Sequence, residues 1–592
     1  MLFNGLAGDS VFIVEIDEGI HSLSNLPTRL LEPSWPGAAG REMGAWRPMH
    51  TGLVALTYAA GGGRPVAFHI VNLMLHAAVI VLVLFVLFEL LPPTAAAAGG
   101  LIFAIHPVHI EVVVDVPGAA EMLAAIFALS AALLHLRAPE RYGLGRALGV
   151  TGLYVLAVLS KESGAALPLL LFLLDAARTD MTPRRTLAYA RSHGPLYVLM
   201  AAALATVLLV RMNVLGAVAS TPTPFGMQAL EDMPRVWTVM QAWAHYVRLL
   251  IFPLDLSIDN TPRILPVAFG WTPLAITGVS MVLMAFAAAL WSWRVGDVLD
   301  PRRSSIRVIG FGVLWVAAAL LPVANVFYLG PVLVAERHLY LPSLGFVAII
   351  GWLVTRLEAR RTHAGMAVVA VLILAGTVRT VTRVPDWRDN DTLWEELLES
   401  HPESGSAWVA FAERLYKEGR PREGLRAYGV AAGLVGLPQG QAVVLSSHLL
   451  EMNRPESARF FLRRAWRQRP DLYHAPALLS EVSRRLGHLE EAAAAGRAAT
   501  ILTPSNPSNH HLLGQAYTAL GRHGEAIDAR KMALRTGFPK VALEWLYISI
   551  DYAVLTDTTA ALAALDSASV HAVTDEVRSA LAAAREALIA GR

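Results

Sequence analysis

Between residues 66 and 384 apolar runs near 20 residues recur, and from about 405 to 540 the same chain repeats every 34 residues. A bilayer core takes about 20 apolar residues per helix, so the first region has to be a ladder of membrane-spanning segments. The chain is therefore expected to be all-α: a polytopic helical membrane domain followed by a helical repeat array. The charge content agrees, at 16% against 55% hydrophobic residues, where soluble chains carry about 25% charged. The net charge of +2 says little about partners, because the charges of a membrane protein act locally. With no cysteine in the chain, disulfides and thiolate metal sites are excluded.

Spans are expected near 66–90, 95–110, 119–136, 147–160, 163–177, 194–212, 270–293, 307–326, 338–356 and 364–384. A further apolar stretch at 236–254 carries His245 and Arg248 and reads as interfacial or re-entrant. Basic residues favour cytoplasmic loops. They concentrate in alternate connections: Arg137, Arg141 and Arg146; Arg178, Arg184, Arg185 and Arg191; Arg294, Arg302, Arg303 and Arg307; Arg356, Arg360 and Arg361. The alternation assigns 1–65, 106–121, 213–265 and 327–342 to the extracytoplasmic side, together with the repeats after the last span. A first loop at 1–65 on that side is expected to follow a helix upstream of this sequence, the other reading being an N-terminus translocated unaided. The expected division is a first outer loop at 1–65, a membrane domain at 66–384, a linker with a half repeat at 385–404, and a repeat domain with a C-terminal cap at 405–592.

In the repeat, the turn slot reads Gly419, Asn453, Gly487 and Gly521. The small positions of the second helix read Gly424, Ala458, Ala492 and Ala526, then Ala431, Ala465, Ala499 and Ala533. Pro402, Pro470 and Pro504 close units. Small residues allow close helix approach, and this is the tetratricopeptide repeat pattern. Residues 541–590 read as a degenerate fifth unit and cap. Such arrays form concave surfaces for peptides or proteins; a rigid spacer or dimerisation arm is the other reading.

Ionisable groups gather at the outer ends of spans, where they are costly and tend to be functional. Asp17 and Glu18 form an acidic pair that is either a solvated turn or a carboxylate able to deprotonate an acceptor hydroxyl. Arg47 follows in Trp46-Arg47-Pro48. The run FAIHPVHIE (103–111) holds His106, His109 and Glu111. The two histidines fit one helical face and a metal pair, against which stands Pro107 between them. Glu121 heads the next span. Lys161 and Glu162 occupy a tight outer turn and read as a snorkelling ion pair or as part of a site. AERHLYLPSLGF (335–346) holds Glu336, Arg337 and Tyr340. An arginine there suits a lipid-linked phosphate. Polar clusters on one side, separated by apolar spans, predict a cavity near one leaflet. A transporter would place its site near the midplane, in broken helices.

The order of these motifs, with LSKESG at 159–164 and LLIFPLDLSID at 249–259, resembles the transmembrane and tetratricopeptide repeat-containing proteins. Those are integral-membrane glycosyltransferases of the GT-C fold implicated in protein O-mannosylation. The resemblance implies a polyprenyl-phosphate sugar donor, a protein hydroxyl acceptor held by the repeats, and transfer at the outer face of a bacterial inner membrane. Membrane lipid is then a partner and nucleic acid is not; a divalent cation is allowed but not required. By the same resemblance Asp17, with Glu18 beside it, is the catalytic base, and Arg337, Lys161 and Arg47 face the donor phosphate. His106, His109, Glu111, Glu121, Glu162, Glu336 and Tyr340 complete the expected donor site. Two strings depart from the family pattern: its G-R-A-D-like string reads Gly118-Ala119-Ala120-Glu121, and its aspartate pair reads Asp17-Glu18 after Ile16. The alternative function is a non-catalytic, membrane-anchored docking or assembly factor.

Overall fold

The computed structural model describes residues 1–35, 44–137, 143–180, 183–216, 232–258, 268, 270–326, 332–435, 439–468, 470, 473–571 and 575–590. Arg141 of the basic connections and Asp259 of the 249–259 segment lie outside the described residues. Among those described, every regular element is helical, apart from one isolated bridge between Asp300 and Arg303. The chain forms two compact units, Met1–Arg414 and Leu415–Arg592.

Among the described residues, the helices longer than ten residues that lie wholly in the first unit are α1 (Pro48–Gly61), α2 (Pro65–Leu90), α3 (Pro93–Ile105), α4 (Ala119–Leu136), α5 (Leu144–Ser160) and α6 (Leu167–Arg178). They continue with α7 (Pro183–Leu215), α8 (Asp232–Ile251), α9 (Pro273–Val295), α10 (Arg307–Leu320), α11 (Ser343–Arg360), α12 (Ala364–Arg383) and α13 (Asn390–Ser400). The chain is an integral membrane protein: among the described residues five helical stretches, Pro65–Leu90, Val116–Leu136, Tyr189–Leu215, Pro273–Val295 and Ala364–Trp387, are long and apolar enough to cross a bilayer. The stretch expected as a single span at 95–110 is broken. Pro93–Ile105 and Pro107–Val114 meet at 50°, because Pro107 forces His106 into an extended conformation (φ −65°, ψ 122°). Leu144–Ser160 and Arg307–Leu320 are shorter apolar helices.

Between membrane helices apolar burial supplies little net drive, so close packing of small residues has to hold them. Here α10 and α11 cross backbone to backbone. A Cβ on Gly312 would sit 2.4 Å from the Gly345 carbonyl oxygen, and a Cβ on Gly345 would meet the Gly312 oxygen at the same distance. The core behind them is aliphatic and aromatic, with Phe103, Phe311, Trp315, Leu344 and Val347 almost fully buried. Large apolar side chains on the far faces stay exposed, such as Phe85 and Phe88 of α2 and Leu374 and Val378 of α12, as lipid contact requires.

Helix α14 (Gly405–Lys417) crosses the division at Arg414, and the second unit is a stack of helical pairs: α15 (Pro421–Val435), α16 (Gln439–Glu451), α17 (Pro455–Gln468), α18 (His474–Arg485) and α19 (Leu489–Leu502). Then follow α20 (Pro507–Ala519), α21 (His523–Arg535), α22 (Val541–Val554), α23 (Thr558–Val570) and α24 (Asp575–Ala590). All four turn slots take the left-handed conformation: φ is 77° at Gly419, 56° at Asn453, 80° at Gly487 and 75° at Gly521. Thr556, between α22 and α23, takes the same conformation at φ 62°. The small slots are buried, with Ala458, Ala492, Ala499, Ala526 and Ala533 at 0% exposure. A Cβ on Gly487 would meet nothing within 4 Å, so only backbone strain opposes a side chain there. Gly487→Ala is expected to lower the repeat unit's stability by about 1 kcal/mol, and Asn453→Gly to raise it by a smaller amount; thermal unfolding followed by circular dichroism reads both.

Candidate functional site

At one end of the membrane helices lies a cavity of about 310 Å³. Four cationic side chains line it, Arg47, Lys161, Arg211 and Arg337, with Asp9, Glu162, His50 and His338. An apolar wall of Val158, Leu204, Val207 and Leu208 completes it.

Each cation is held by local backbone geometry and braced by a carboxylate from elsewhere in the chain. Arg47 is the residue before α1, its N–H donating to Ser34 Oγ at 2.7 Å. Its guanidinium donates to Glu162 Oε2 through Nη2 at 2.8 Å and Nε at 3.1 Å. Arg211, near the end of α7, reaches the other Glu162 oxygen at 3.1 Å and the Gly44 carbonyl at 2.6 Å. Lys161 leaves α5 in an extended conformation and its ammonium pairs with Glu121 in the first turn of α4. Arg337 is the second residue of a single turn, Glu336–Leu339; its backbone N–H donates to Glu111 Oε2 at 2.8 Å and its guanidinium pairs with the other oxygen. The adjacent Lys161 and Glu162 are thus not paired with each other, contrary to one of the readings of that turn. They point to different partners.

These pairings fix the electrostatics. Burial pulls the Lys161 ammonium down to about 8, against the opposing pull of Glu121. The Glu162 carboxyl is held far below the usual range; burial works against this, and Arg47 and Arg211 overcome it. Asp9 follows Gly8, whose φ of 57° favours glycine and whose N–H bonds Asn390 Oδ1 at 3.1 Å. Asn4 Nδ2 further ties this segment to the carbonyls of Val384 and Trp387, both at 3.0 Å. Burial raises the Asp9 carboxyl, partly offset by Arg337. Asp115 stands behind it, bonded by the Ser10 hydroxyl, and burial together with Asp9 pushes it well above the usual range. Of the two carboxyls, Asp9 is the one that lines the cavity.

The sequence-derived site residues divide three ways. Arg47, Lys161, Glu162 and Arg337 line the cavity, and Glu111 and Glu121 brace two of its cations. His106, His109, Glu336 and Tyr340 are buried structural neighbours outside the lining. His106 Nε2 meets the Leu250 carbonyl at 3.0 Å, His109 bridges the Phe103 carbonyl and Ser343 Oγ, and the Tyr340 hydroxyl meets His76 at 2.7 Å. With their ring nitrogens so engaged, His106 and His109 do not form the metal pair their spacing suggested. Glu336 is 3% exposed, and burial raises its carboxyl to about 8.

Asp17 and Glu18, expected as the base and its neighbour, do not line the cavity. Asp17 is buried in a two-point ion pair with Arg29, Oδ2 lying 2.6 Å from Nη2 and 2.9 Å from Nε. Its other oxygen also accepts the Gly19 N–H at 3.1 Å. Both carboxylate oxygens are thus taken up by Arg29, and Asp17 is not among the residues that line the cavity. Glu18 is exposed. Sequence reasoning missed Asp9, His50, His338 and Arg211. Arg211 had a signal, being an arginine near the end of an apolar span; Asp9 had none beyond its charge.

No family model matches the chain. Its sequence is similar to several curated proteins. A Mus musculus protein named protein O-mannosyl-transferase TMTC3 is 26% identical over 459 residues, covering 70% of this chain and 47% of that protein. Homo sapiens protein O-mannosyl-transferase TMTC4 is 27% identical over 424 residues, 63% of this chain and 55% of that protein. Caenorhabditis elegans protein O-mannosyl-transferase F38B6.6 is 26% identical over 373 residues, 60% and 49%. The chain thus spans about half the length of the curated relatives it matches. These are the proteins its motifs resemble. Among solved structures, the tetratricopeptide repeat protein YrrB aligns with 33% of this chain and 97% of its own at 16% identity and a TM-score of 0.30. A thermophilic tetratricopeptide repeat protein of Thermus thermophilus aligns with 31% and 98% at 20% identity and a TM-score of 0.24.

Proposed function

We propose that the chain is a membrane glycosyltransferase of GT-C type. It moves a sugar, mannose first, from a polyprenyl-phosphate donor to Ser or Thr hydroxyls of protein acceptors at the extracytoplasmic face of a bacterial inner membrane. The observation that carries the reading is the convergence of Arg47, Lys161, Arg211 and Arg337 on one cavity that also holds a carboxyl, Asp9, and an apolar wall. A lipid phosphate sugar needs those three surfaces.

In this reading Asp9 accepts the proton of the acceptor hydroxyl as its oxygen attacks the anomeric carbon. The bond from that carbon to the phosphate oxygen breaks, and the departing polyprenyl phosphate gains negative charge. Cations fixed in advance around that oxygen stabilise the transition state more than the ground state. A guanidinium has five N–H donors, so Arg47 can hold Glu162 through two nitrogens and still offer donors to a phosphate. Val158, Leu204, Val207 and Leu208 suit the first isoprene units, and the repeat unit is a surface type that holds acceptor peptides.

The test is transfer of radiolabelled mannose from polyprenyl-phosphate mannose to protein, in membranes carrying the wild-type chain or Asp9→Asn. Label that appears with wild type and is lost with Asp9→Asn supports the enzyme and its base. No label from mannose or other lipid-linked sugars would transfer the weight to a docking or assembly factor. The alkaline limb of the pH profile is a second check. Lys161 carries its charge below about 8 and loses it above, so transfer is expected to fall as pH rises through about 8. Lys161→Arg, which stays charged, should carry that limb to higher pH.

A further inference from the structure

The helices that frame the cavity carry a second polar cluster at their other ends, which the reaction above does not use. Pro117, just before α4, and Ala165, just before α6, line the cavity with Leu204 and Arg211 of α7. His135 lies one residue from the end of α4, Asp175 in the last turn of α6, and His193 in the first half of α7. At 1.5 Å per residue the two ends of α4 are about 25 Å apart. One nitrogen from each histidine and one Asp175 oxygen all lie within 4.8 Å of one another. His135 is 3% exposed, and its Nε2 lies 2.6 Å from Asp175 Oδ2.

We propose that His135, Asp175 and His193 form a binding site for a divalent transition-metal ion, Zn²⁺ in the first instance, that clamps α4, α6 and α7 at the end opposite the cavity. Two imidazoles and one carboxylate are the three-ligand set that zinc accepts with a fourth position left open. Calcium and magnesium, which take oxygen ligands, are poorly matched to it. The surroundings are those of a ligand set as well. The Tyr189 hydroxyl donates to Asp175 Oδ2 at 2.7 Å, and its ring stacks on His193 with centroids 4.3 Å apart. Ser192 Oγ lies 2.8 Å from Nδ1 of His193. Partners of this kind orient ligating side chains and tune their basicity. A metal ion here takes the place of the proton between His135 and Asp175. It also ties three separate helices by bonds stronger than one hydrogen bond, at the base of the cavity's frame.

The measurement uses the full-length protein in detergent with a purification tag free of histidine. After stripping with EDTA, the protein is equilibrated with Zn²⁺ and desalted, and zinc per chain is read by mass spectrometry. About one zinc per chain is expected, together with a rise in unfolding temperature on adding zinc. Both should be lost in Asp175→Asn and His193→Gln and kept in His363→Gln, an exposed histidine on another turn. Gel filtration establishes that each variant is folded. Wild type loaded with Co²⁺ serves as a probe that needs no variant: visible ligand-field bands are expected, and their absence overturns the site. Zinc retention that survives both substitutions, or wild type that retains none, overturns it as well. A hydrogen-bonded Asp–His–Tyr network alone would give that last result.

Discussion

Asp9→Asn is expected to lower the turnover of sugar transfer by about a thousandfold while leaving the donor's KM nearly unchanged. A positioned general base contributes on the order of 10²–10⁴ in rate, and the donor phosphate would be held by the cations, which this substitution leaves in place. Burial raises the Asp9 carboxyl, and a stronger base is the more useful one near neutral pH. The acid limb of the rate profile should accordingly lie above that of an ordinary aspartate. Asp17→Asn makes the informative contrast. Asp17 neutralises Arg29, a guanidinium 4% exposed that is held also by the carbonyls of Pro33 and Ser34. Breaking one side of a buried pair costs about 3–5 kcal/mol. Asp17→Asn should therefore lower the unfolding temperature and the amount of folded protein, with turnover per folded molecule close to wild type. The reverse pattern, in which Asp17→Asn abolishes turnover and Asp9→Asn does not, would return the base to Asp17.

That contrast marks where the sequence stopped being readable. The repeat unit was legible because its constraints are local and periodic. The turn slots at Gly419, Asn453, Gly487 and Gly521 and the buried small positions at Ala458, Ala492 and Ala526 follow from the conformation of one turn and the width of one crossing. Arg47, Lys161 and Arg337 were legible because a charge at the end of an apolar span has few innocent explanations. Their partners were not. Glu111 and Arg337 are 226 residues apart, and Lys161 and Glu162 diverge because Lys161 is extended where the next turn begins. Asp17 was expected as the base from its acidic pair and the resemblance; its pairing with Arg29, twelve residues on and brought back by two short turns, was not legible. Asp9 belongs to a three-residue helical turn with no periodicity to announce it. The straight span read through 95–110 is instead bent by 50°, for a local reason that was visible, Pro107.

The second large effect is expected at Arg337, where function and stability can be pulled apart. Arg337→Ala removes a cation from the cavity and leaves Glu111, whose side chain is 4% exposed, without its guanidinium partner. A drop of at least a hundredfold in transfer is expected, because a preorganised group facing a developing charge is worth about 3–4 kcal/mol. A loss of stability of about 3 kcal/mol should accompany it, the cost of an orphaned buried charge. The two consequences separate in the double variant Arg337→Ala, Glu111→Ala. Removing both charges takes away the orphan, so most of the lost stability returns, while transfer stays low because the phosphate still lacks its cation. Glu111→Gln tests the brace alone: it keeps an acceptor for the Arg337 backbone N–H, now 2.8 Å from Glu111, but gives up the charge pair. Its effect should fall on the donor's KM, through a less firmly held guanidinium, more than on turnover. Equal stability of the single and double Arg337 variants would mean that Glu111 is solvated or protonated once alone. Recovery of transfer in the double variant would mean that Arg337 serves the fold and not the donor.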